Sequence, residues 1–446
     1  MKIVDADTAL QALGSHQRVY VHEASMTPLS LIEALARRAR DLRAVEVVHL
    51  HTNAPAPYIS EELRGHIRHN ALFTGSNVRA AVQSGQADFT PVFLSEIPEL
   101  IRDGTLGIDV ALVSLSPPDA HGFCRLGLSV SSARAAVDNA KIVIAEINPQ
   151  VPRTLGHSSV HVSQIDFAVE VDRALPEVPL KAPGPVEQAI GAHIAAQIPN
   201  GATLQMGIGS IPDATLAALS HHQDLGVHSE MFSDGLIDLV ESGVITGRQK
   251  TRFAGRVVTS FAMGTQRLHD FVDQNPFVEF HPSEIVNDPL EIQRQHRMHA
   301  INSAIEVDLT GQVCADSIGD RIYSGIGGQM DFMRGAVRCP GGRAFIALPA
   351  TAKSGAITRI VPRLQPGAGV VTTRGHVQYV VTEHGVVNLR GRSLRQRAEM
   401  LISIADPAHR RALRAAAAER RIFAAAGGES ERFEAEPAAG VAKKVA

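Results

Sequence analysis

Hydrophobic residues occur along the first third of the chain in short blocks that alternate between strand-like and helix-like spacing. Apolar runs at 18–22 and 45–51 predict strands, and Leu29, Ile32 and Leu35 between them lie at helical spacing and predict a helix over 26–40. The pattern continues with predicted strands at 71–74, 108–114 and 141–147 and a helix at 77–84. Strands that alternate with helices in this way are typical of an α/β domain with a parallel sheet.

A proline-rich stretch interrupts this pattern near the middle of the chain. Residues 175–185 contain four prolines, which disfavour both helix and central strand, and they predict a semi-rigid linker. We therefore expect a first domain over residues 1–182 and a second over residues 183–424. Residues 425–446 lack apolar periodicity and are predicted to form a disordered tail.

The second half opens with a helix, a strand and a glycine turn. A helix is predicted over 186–197 and a short strand over 203–206, after which Gly207 and Gly209 form a turn whose backbone N–H groups can face a ligand. Ser210 is predicted to cap the helix that follows. A helix that begins at such a turn suits an anionic or oxyanionic partner.

Glu230 is the candidate nucleophile. Residues 227–229 read as a strand that leads to Glu230, and Ser233 with Asp234 is predicted to cap the next helix. A carboxylate at a strand end, opposite a glycine turn, is suitably placed for covalent catalysis. Helix capping or an ion pair would explain an arbitrary glutamate at such a turn equally well, so the neighbouring sequence has to decide between these roles.

A second glycine-rich loop occupies residues 324–332 and reads Ser-Gly-Ile-Gly-Gly-Gln-Met-Asp-Phe. It follows a segment at 300–312 whose alternation predicts one strand ending in a turn, and it precedes predicted strands at 345–348 and 377–382 and a helix at 394–404. A single such loop is weak evidence for a ligand site. Two in one domain strengthen the case for a bound ligand.

Composition limits the classes of function. With 446 residues, 44% of them hydrophobic, the chain has room for two or three domains. No leader-like start and no apolar run of about 20 residues is seen, so we expect a cytoplasmic protein that does not contact membranes. The net charge of −3 gives no case for nucleic acid. The three cysteines lack CxxC spacing, which supports neither disulfides nor zinc.

Neither a metal nor a nicotinamide cofactor is predicted. The chain has 20 histidines, but those at 221, 222, 228, 296 and 299 fit no known ligand spacing. The turn at Gly207 and Gly209 lacks the third glycine of a dinucleotide fingerprint, because Pro212 and Asp213 stand where close packing needs it.

Three motifs, Gly207-Ile-Gly-Ser-Ile-Pro-Asp, His228-Ser-Glu-Met-Phe-Ser-Asp-Gly and Gly325-Ile-Gly-Gly-Gln-Met-Asp-Phe, closely resemble the acetyl-CoA hydrolase/transferase family. The nearest likeness is to its 4-hydroxybutyrate and butyrate CoA-transferases, and it covers nearly all of the chain before the tail. The resemblance implies two similarly folded, doubly wound α/β domains with mainly parallel sheets, an active site between them and a homodimer. It implies Glu230 as the covalent nucleophile. The contacts to coenzyme A or the reacting carbonyl would come from Gly207, Ile208, Gly209, Ser210, Ile211, Ile305, Gly327 and Gly328.

Three functions follow from these residues. The first is transfer of CoA from an acyl-CoA to a small carboxylic acid, in ping-pong fashion, through a glutamyl-CoA thioester on Glu230. The second is acyl-CoA hydrolysis with the same glutamate. The third is binding of CoA or a sugar phosphate without catalysis, which the presence of Glu230 argues against. The acids stay open among acetate, butyrate, 4-hydroxybutyrate, itaconate and succinate.

Overall fold

The computed structural model describes residues 1–420, so the predicted disordered tail from residue 425 lies outside the described residues. The strands, in chain order, are β1 (Lys2–Ile3), β2 (Arg18–Val21), β3 (Val45–His49), β4 (Ile67–Ala71), β5 (Asp88–Phe89), β6 (Val110–Leu115), β7 (Phe123–Arg125), β8 (Ile142–Ile147), β9 (Leu155–Gly156), β10 (Ser159–His161), β11 (Phe167–Glu170), β12 (Thr203–Met206), β13 (Gly226–Phe232), β14 (Val257–Ala262), β15 (Val278–Phe280), β16 (Met298–Ser303), β17 (Glu306–Asp308), β18 (Val313–Cys314), β19 (Ser317–Ile318), β20 (Arg321–Ile322), β21 (Arg343–Ala347), β22 (Thr351–Ala352), β23 (Ile357–Thr358), β24 (Ile360–Val361), β25 (Tyr379–Thr382) and β26 (Gly385–Asn388).

The helices are α1 (Ala6–Ala9), α2 (Leu29–Arg38), α3 (Arg79–Gln83), α4 (Ile97–Arg102), α5 (Ala133–Asn139), α6 (Pro185–Ala195), α7 (Ser210–Ala218), α8 (Gly235–Glu241), α9 (Gln266–Val272), α10 (Ser283–Val286), α11 (Pro289–Gln293), α12 (Gln329–Arg338), α13 (Leu394–Ile404) and α14 (Pro407–Ala418). None of the helices in residues 1–420 combines the length and the apolar character needed to cross a membrane.

The first sheet contains eight strands in the order β1-β11-β8-β6-β2-β3-β4-β5. Every neighbouring pair in it is parallel. Its central strands are continuous apolar runs, as expected for strands covered on both faces by helices; β6, for example, is buried along its whole length.

The second sheet contains nine strands in the order β26-β25-β21-β16-β12-β13-β14-β15-β9, and only the β25–β26 pair at its edge is antiparallel. Seven consecutive strands of each sheet follow the same path. Counted along the chain within each sheet, both give the order 7-6-5-1-2-3-4, starting at β11 in the first sheet and at β25 in the second. The predicted fold class, two similarly folded doubly wound α/β units with mainly parallel sheets, is confirmed.

The two sheets are joined by one strand of the first half that pairs with the second sheet, and by a common hydrophobic core. Strand β9, which belongs to the first half of the chain, pairs with β15 at the edge of the second sheet. One core cluster contains buried residues from both halves, among them Leu128 and Phe261. The division at residues 182 and 183 stays a prediction; residues 171–184, between β11 and α6, form neither helix nor strand.

Several predicted elements differ from the observed ones at their ends. Helix α2 begins at Leu29 because Pro28, as its N-cap residue, stands outside the helix. The single strand predicted over 300–312 is wrong: β16 ends at Ser303 and β17 begins at Glu306 in a separate three-stranded sheet. Alternating hydrophobicity continues through the break, so the pattern gave no signal of it.

Candidate active site

Glu230 lies in β13, where this strand separates from its neighbour β12. The two strands pair only at Thr203 with Gly226 and at Leu204 with Val227. Further along, the Ser229 hydroxyl replaces the backbone pairing: it accepts from the Met206 N–H at 3.2 Å and donates to the Met206 carbonyl at 2.8 Å. On the other side, the Thr259 hydroxyl donates to the Glu230 carbonyl at 3.2 Å. Two hydroxyl side chains therefore fix the backbone around Glu230.

The Glu230 side chain faces a cavity of about 300 Å³ that lies between the two halves of the molecule. The first half contributes residues that follow the carboxyl ends of β3 and β4, including His51, Asn53 and Phe73. The second half contributes Ile208 and Gly327 from the two glycine loops, together with Phe261 and Met263. The carboxyl ends of strands in doubly wound sheets are the usual ligand sites, and here two such ends face each other.

The carboxylate of Glu230 has two protein partners. The side-chain amide of Asn287 donates from Nδ2 to Oε2 at 3.0 Å, and the backbone of Gly328 also favours the charged form. Burial outweighs both contacts and raises the pKa of Glu230 to about 7. A glutamate with this pKa is ionised in part at neutral pH and is a stronger nucleophile than an ordinary surface carboxylate.

Gly328 is packed directly against this carboxylate. A Cβ built on Gly328 would overlap Glu230 Oε2 and Asn287 Nδ2. The backbone there has φ −95°, which any residue can adopt, so the need for glycine comes from space and not from conformation. The contact of Gly328 with CoA or the reacting carbonyl stays a prediction.

Asn287 connects Glu230 to a second buried carboxylate. Its Nδ2 also lies 3.4 Å from Oδ2 of Asp331, and Asp331 accepts from the Ser95 hydroxyl at 2.9 Å and from the Ser95 N–H at 3.3 Å. Burial raises the pKa of Asp331 to about 7, and the charge of Glu230 adds to this shift. Because Ser95 belongs to the first half of the chain, this hydrogen-bonded series crosses between the halves.

His228 fixes the backbone next to Asn287. The His228 Nε2 lies 2.8 Å from the carbonyl of Val286, and Gln295 Nε2 lies 3.1 Å from His228 Nδ1. Burial lowers the pKa of His228 to about 3, so the ring is neutral, donates from Nε2 and accepts at Nδ1. This arrangement fixes the end of α10, where Asn287 is the C-cap residue.

The first glycine loop borders the cavity, but its helix is not capped as predicted. Gly209, with φ +114°, is the N-cap residue of α7, and Ser210 is the first residue of the helix, without a side-chain cap. Ile208 lines the cavity and is 40% exposed. Ser210 and Ile211 lie in the first turn of α7.

Asp234 is the N-cap residue of α8, as predicted, but it makes no side-chain cap hydrogen bond to the helix. Ser233 donates to Asp213 at 3.2 Å, and the Asp234 carboxylate accepts from the N–H and hydroxyl of Thr265. These side chains join neighbouring elements instead of capping α8, because partners from α7 and α9 lie within reach.

The second glycine loop joins the two halves beside the cavity. Gly327 has φ +58° and its carbonyl accepts from Leu94 N at 3.1 Å, while Thr74 N donates to Ser324 O at 3.0 Å. Ile305 lies apart from this arrangement. It follows β16, its N–H donates to Cys314 O at 2.8 Å, and it is not among the residues that line the cavity. Its proposed contact with CoA stays a prediction.

Sequence reasoning missed four residues around Glu230 and its cavity: Asn287, Asp331, Ser95 and His51. Asp331 belongs to the second glycine motif, so a signal for it was present. Asn287 comes just before an Asp-Pro helix start, and Ser95 lies in a short 3₁₀ turn, Leu94–Glu96, in the other half of the chain. No local pattern marks these two, because only the tertiary fold brings them to Glu230.

Family models match both halves of the chain. The acetyl-CoA hydrolase/transferase N-terminal domain matches residues 1–179, and the C-terminal domain of the same family matches residues 264–417. The 4-hydroxybutyrate coenzyme A transferase of Clostridium kluyveri is 47% identical over 92% of this chain and 96% of its own. The chain belongs to the acetyl-CoA hydrolase/transferase family. The predicted family is therefore confirmed.

Two further relatives agree with this assignment. The succinyl-CoA:acetate/propanoyl-CoA:succinate CoA transferase of Fasciola hepatica is 46% identical over 93% of this chain and 87% of its own. The crystal structure of RipA from Yersinia pestis superposes with a TM-score of 0.90 at 32% identity, over 94% of this chain and 98% of its own. The prediction of an enzyme of the CoA-transferase type is confirmed at this level.

Proposed function

We propose that this protein transfers coenzyme A between an acyl-CoA and a small carboxylic acid, with Glu230 as the covalent nucleophile. The observation that carries the proposal is the Glu230 carboxylate itself. It faces the cavity between the halves of the molecule, it is held by Asn287, and a glycine leaves room beside it. A structural carboxylate would instead have its oxygen atoms covered by donors on all sides.

The chemistry proceeds in two half-reactions of opposite direction. The ionised carboxylate attacks the thioester carbonyl, the C–S bond breaks, and CoA leaves as the thiolate, which gives a mixed anhydride on Glu230. The thiolate then attacks the glutamyl carbonyl and expels the donor acid as its carboxylate, which leaves a glutamyl-CoA thioester. An acceptor carboxylate reverses both steps, regenerates Glu230 and departs as the new acyl-CoA.

Each attack forms a tetrahedral oxyanion, and the residues around Glu230 supply donors for it. Asn287 Nδ2 already contacts Glu230 Oε2, and the Gly328 backbone lies on the same carboxylate. When the glutamyl carbonyl is attacked, its oxygen carries the new negative charge at the position these groups face. Loss of one such donor typically costs about 3–4 kcal/mol of transition-state stabilisation.

CoA itself fits the side of the cavity bordered by the first glycine loop. At Gly207 and Gly209 an added Cβ would meet no protein atom, so the backbone there is open to a ligand, and glycine would let that ligand approach closely. Ile208, exposed at the cavity mouth, offers apolar surface for the pantetheine chain.

Intact-protein mass spectrometry tests the proposal. Incubation with acetyl-CoA alone should give a species heavier by one CoA minus water, located on the peptide that contains Glu230, and added acetate should discharge it. Glu230→Gln, which keeps the size and the hydrogen bond from Asn287, should give no adduct. Intersecting initial-rate lines with no adduct would favour direct transfer in a ternary complex instead.

The same experiment separates the second candidate, acyl-CoA hydrolysis. A hydrolase loses the adduct to water without an acceptor, whereas a transferase keeps it until another carboxylate arrives. The relatives that are 47% and 46% identical both carry transferase names, which favours the first candidate. A homodimer is part of the proposal through the family resemblance, and light scattering of the purified protein tests it. A cytoplasmic location is part of the proposal through the composition of the chain.

A further inference from the structure

Two polar side chains line the cavity of Glu230 with only a thioether as a close partner. The His51 Nε2 lies 3.2 Å from Sδ of Met263, and the Asn53 Nδ2 lies 3.2 Å from the same sulfur atom. Asn53 has one further contact, at 3.4 Å to the Ser25 hydroxyl, and within residues 1–420 its Oδ1 accepts no hydrogen bond. Since a thioether is a weak acceptor, both groups are poorly satisfied.

The backbone that carries these side chains is rigid. Ala24 N donates to His51 O at 2.9 Å, Asn53 N donates to Ala24 O at 3.3 Å, and Ala24 forms a parallel bridge with Thr52. The His51 ring is packed edge-on against Phe73 and Phe261, with centroids 5.6 Å and 5.8 Å away. The weak contacts to sulfur are therefore fixed features of the fold and cannot relax by rotation of the loop.

Their position in the cavity identifies the part of the substrate they would meet. Ile208 is 40% exposed, whereas Met263 is 3% exposed and His51 is half-buried. Phe261, which packs on His51, pairs in register with Met231, the residue after Glu230. His51 and Asn53 therefore line the same cavity as the reacting carboxylate, on the side formed by the first half of the chain.

We propose that His51, Asn53 and Met263 form the subsite that reads the far end of the acid, and that it selects acids with an uncharged hydrogen-bond acceptor there. This inference rests on the proposed function. A hydroxyl or carbonyl oxygen would give both donors a better partner than sulfur. An alkyl acid of the same length would bury them without one, and sites built to hydrogen-bond a substrate reject such analogues strongly.

The charges around the subsite favour a neutral group over a second carboxylate. The buried Glu23 acts electrostatically on His51, and Glu230 lines the same cavity. Among residues 1–420, Arg79 is the one lysine or arginine that lines the cavity, and its guanidinium lies over the Tyr323 ring at 4.0 Å and donates to the Tyr323 carbonyl at 2.7 Å. In the described part of the chain, no lysine or arginine contacts His51 or Asn53 to neutralise a second negative charge.

The test compares three acids with the same four-carbon chain, butyrate, 4-hydroxybutyrate and succinate, with acetyl-CoA as donor. The wild type should prefer 4-hydroxybutyrate to butyrate by at least about tenfold in kcat/KM, with succinate the poorest of the three. Asn53→Leu and His51→Leu should each lower the hydroxybutyrate-to-butyrate ratio by about tenfold. Ser242→Ala, at the exposed C-cap of α8 and outside the cavity lining, should leave the ratio unchanged.

Acetate is the internal standard, because its acyl group is too short to reach the subsite. Adduct formation from acetyl-CoA should therefore persist in both leucine variants, which shows that they are folded and chemically competent. A wild-type ratio near one, a ratio unchanged in both variants, or a preference for succinate would overturn the subsite. Absence of both the adduct and any transfer, in the wild type as well, would instead mean that the proposed function fails.

Discussion

Two glutamates stand near the carboxyl ends of parallel strands, one in each half of the molecule, and their surroundings differ. Glu23 follows β2, the first strand of the repeated order in the first sheet; its carboxylate accepts from the Tyr20 hydroxyl and from the Ser129 hydroxyl at 2.7 Å. Glu230 lies in β13, beside the first strand of the same order in the second sheet, and it contacts an amide and a glycine backbone. Both carboxylates lie near the carboxyl ends of parallel strands, and their neighbours decide which one a substrate can reach.

The difference lies in what covers each carboxylate. Around Glu23 the covering groups are side chains that leave it 1% exposed, so neither substrate nor CoA can reach it. Around Glu230 the covering group is Gly328, which lacks the atoms that would close the site. We infer that catalysis in this fold depends on an opening made by glycine more than on the carboxylate alone.

Replacement of each glutamate by glutamine should give the largest contrast. Glu230→Gln should lower transfer by at least about 10⁴-fold, because the nucleophile is lost and Asp331, the nearest other carboxylate, lies behind Asn287 and does not line the cavity. Glu23→Gln should keep kcat within about tenfold and lower stability by about 1–3 kcal/mol, since one amide N–H₂ faces hydroxyl donors. Steady-state kinetics and urea unfolding measure both. Equal loss of turnover in the two variants would contradict the assignment.

The two glycine loops provide the second contrast. Gly328→Ala should lower kcat by about 100-fold with little change in stability, because the new Cβ displaces the Glu230 carboxylate and Asn287. The Cβ added by Gly207→Ala would meet no protein atom. This variant should therefore fold normally and raise the KM for acyl-CoA instead. A kcat effect at Gly207 equal to that at Gly328 would show that the two loops do not divide the work in this way.

The sequence predicted most of the fold and about half of this site. Apolar runs and glycine turns are local signals, so they located β12, β13 and both glycine loops, and the family resemblance singled out Glu230. Asn287 and Ser95 could not be predicted, because their roles depend on contacts with residues far away in the sequence. Asn287 is 57 residues from Glu230, and Ser95 is 236 residues from Asp331. The break at Ala304 was missed because apolar periodicity does not distinguish one strand from two consecutive ones.

The pH dependence gives a smaller effect that separates the same two glutamates. With a pKa of about 7, Glu230 is protonated below neutrality, so adduct formation from acetyl-CoA should fall about tenfold per pH unit below that point. Single-turnover mass spectrometry from pH 5 to 9 measures this without interference from the ionisation of an acceptor acid. Glu23→Gln should leave the midpoint in place. A midpoint near 4.5 would mean that Glu230 is not desolvated.

The smallest expected effect is on stability, and its sign is opposite for the two glutamates. Burial raises the pKa of Glu230 to about 7, so between about pH 4.3 and 7 the folded state binds the proton more tightly than the unfolded state, and stability falls as pH rises through that window. Glu230→Gln removes this cost. The variant should be more stable than the wild type by about 1–3 kcal/mol at pH 8, and the gain should shrink towards pH 5. Glu23→Gln should be less stable at both pH values, because it loses acceptors for Tyr20 and Ser129 whatever the pH. Urea unfolding of both variants at pH 5 and pH 8 measures the four differences from the wild type. A loss of stability at pH 8 in Glu230→Gln would mean that the wild-type carboxylate stabilises the fold instead of being kept open for the reaction.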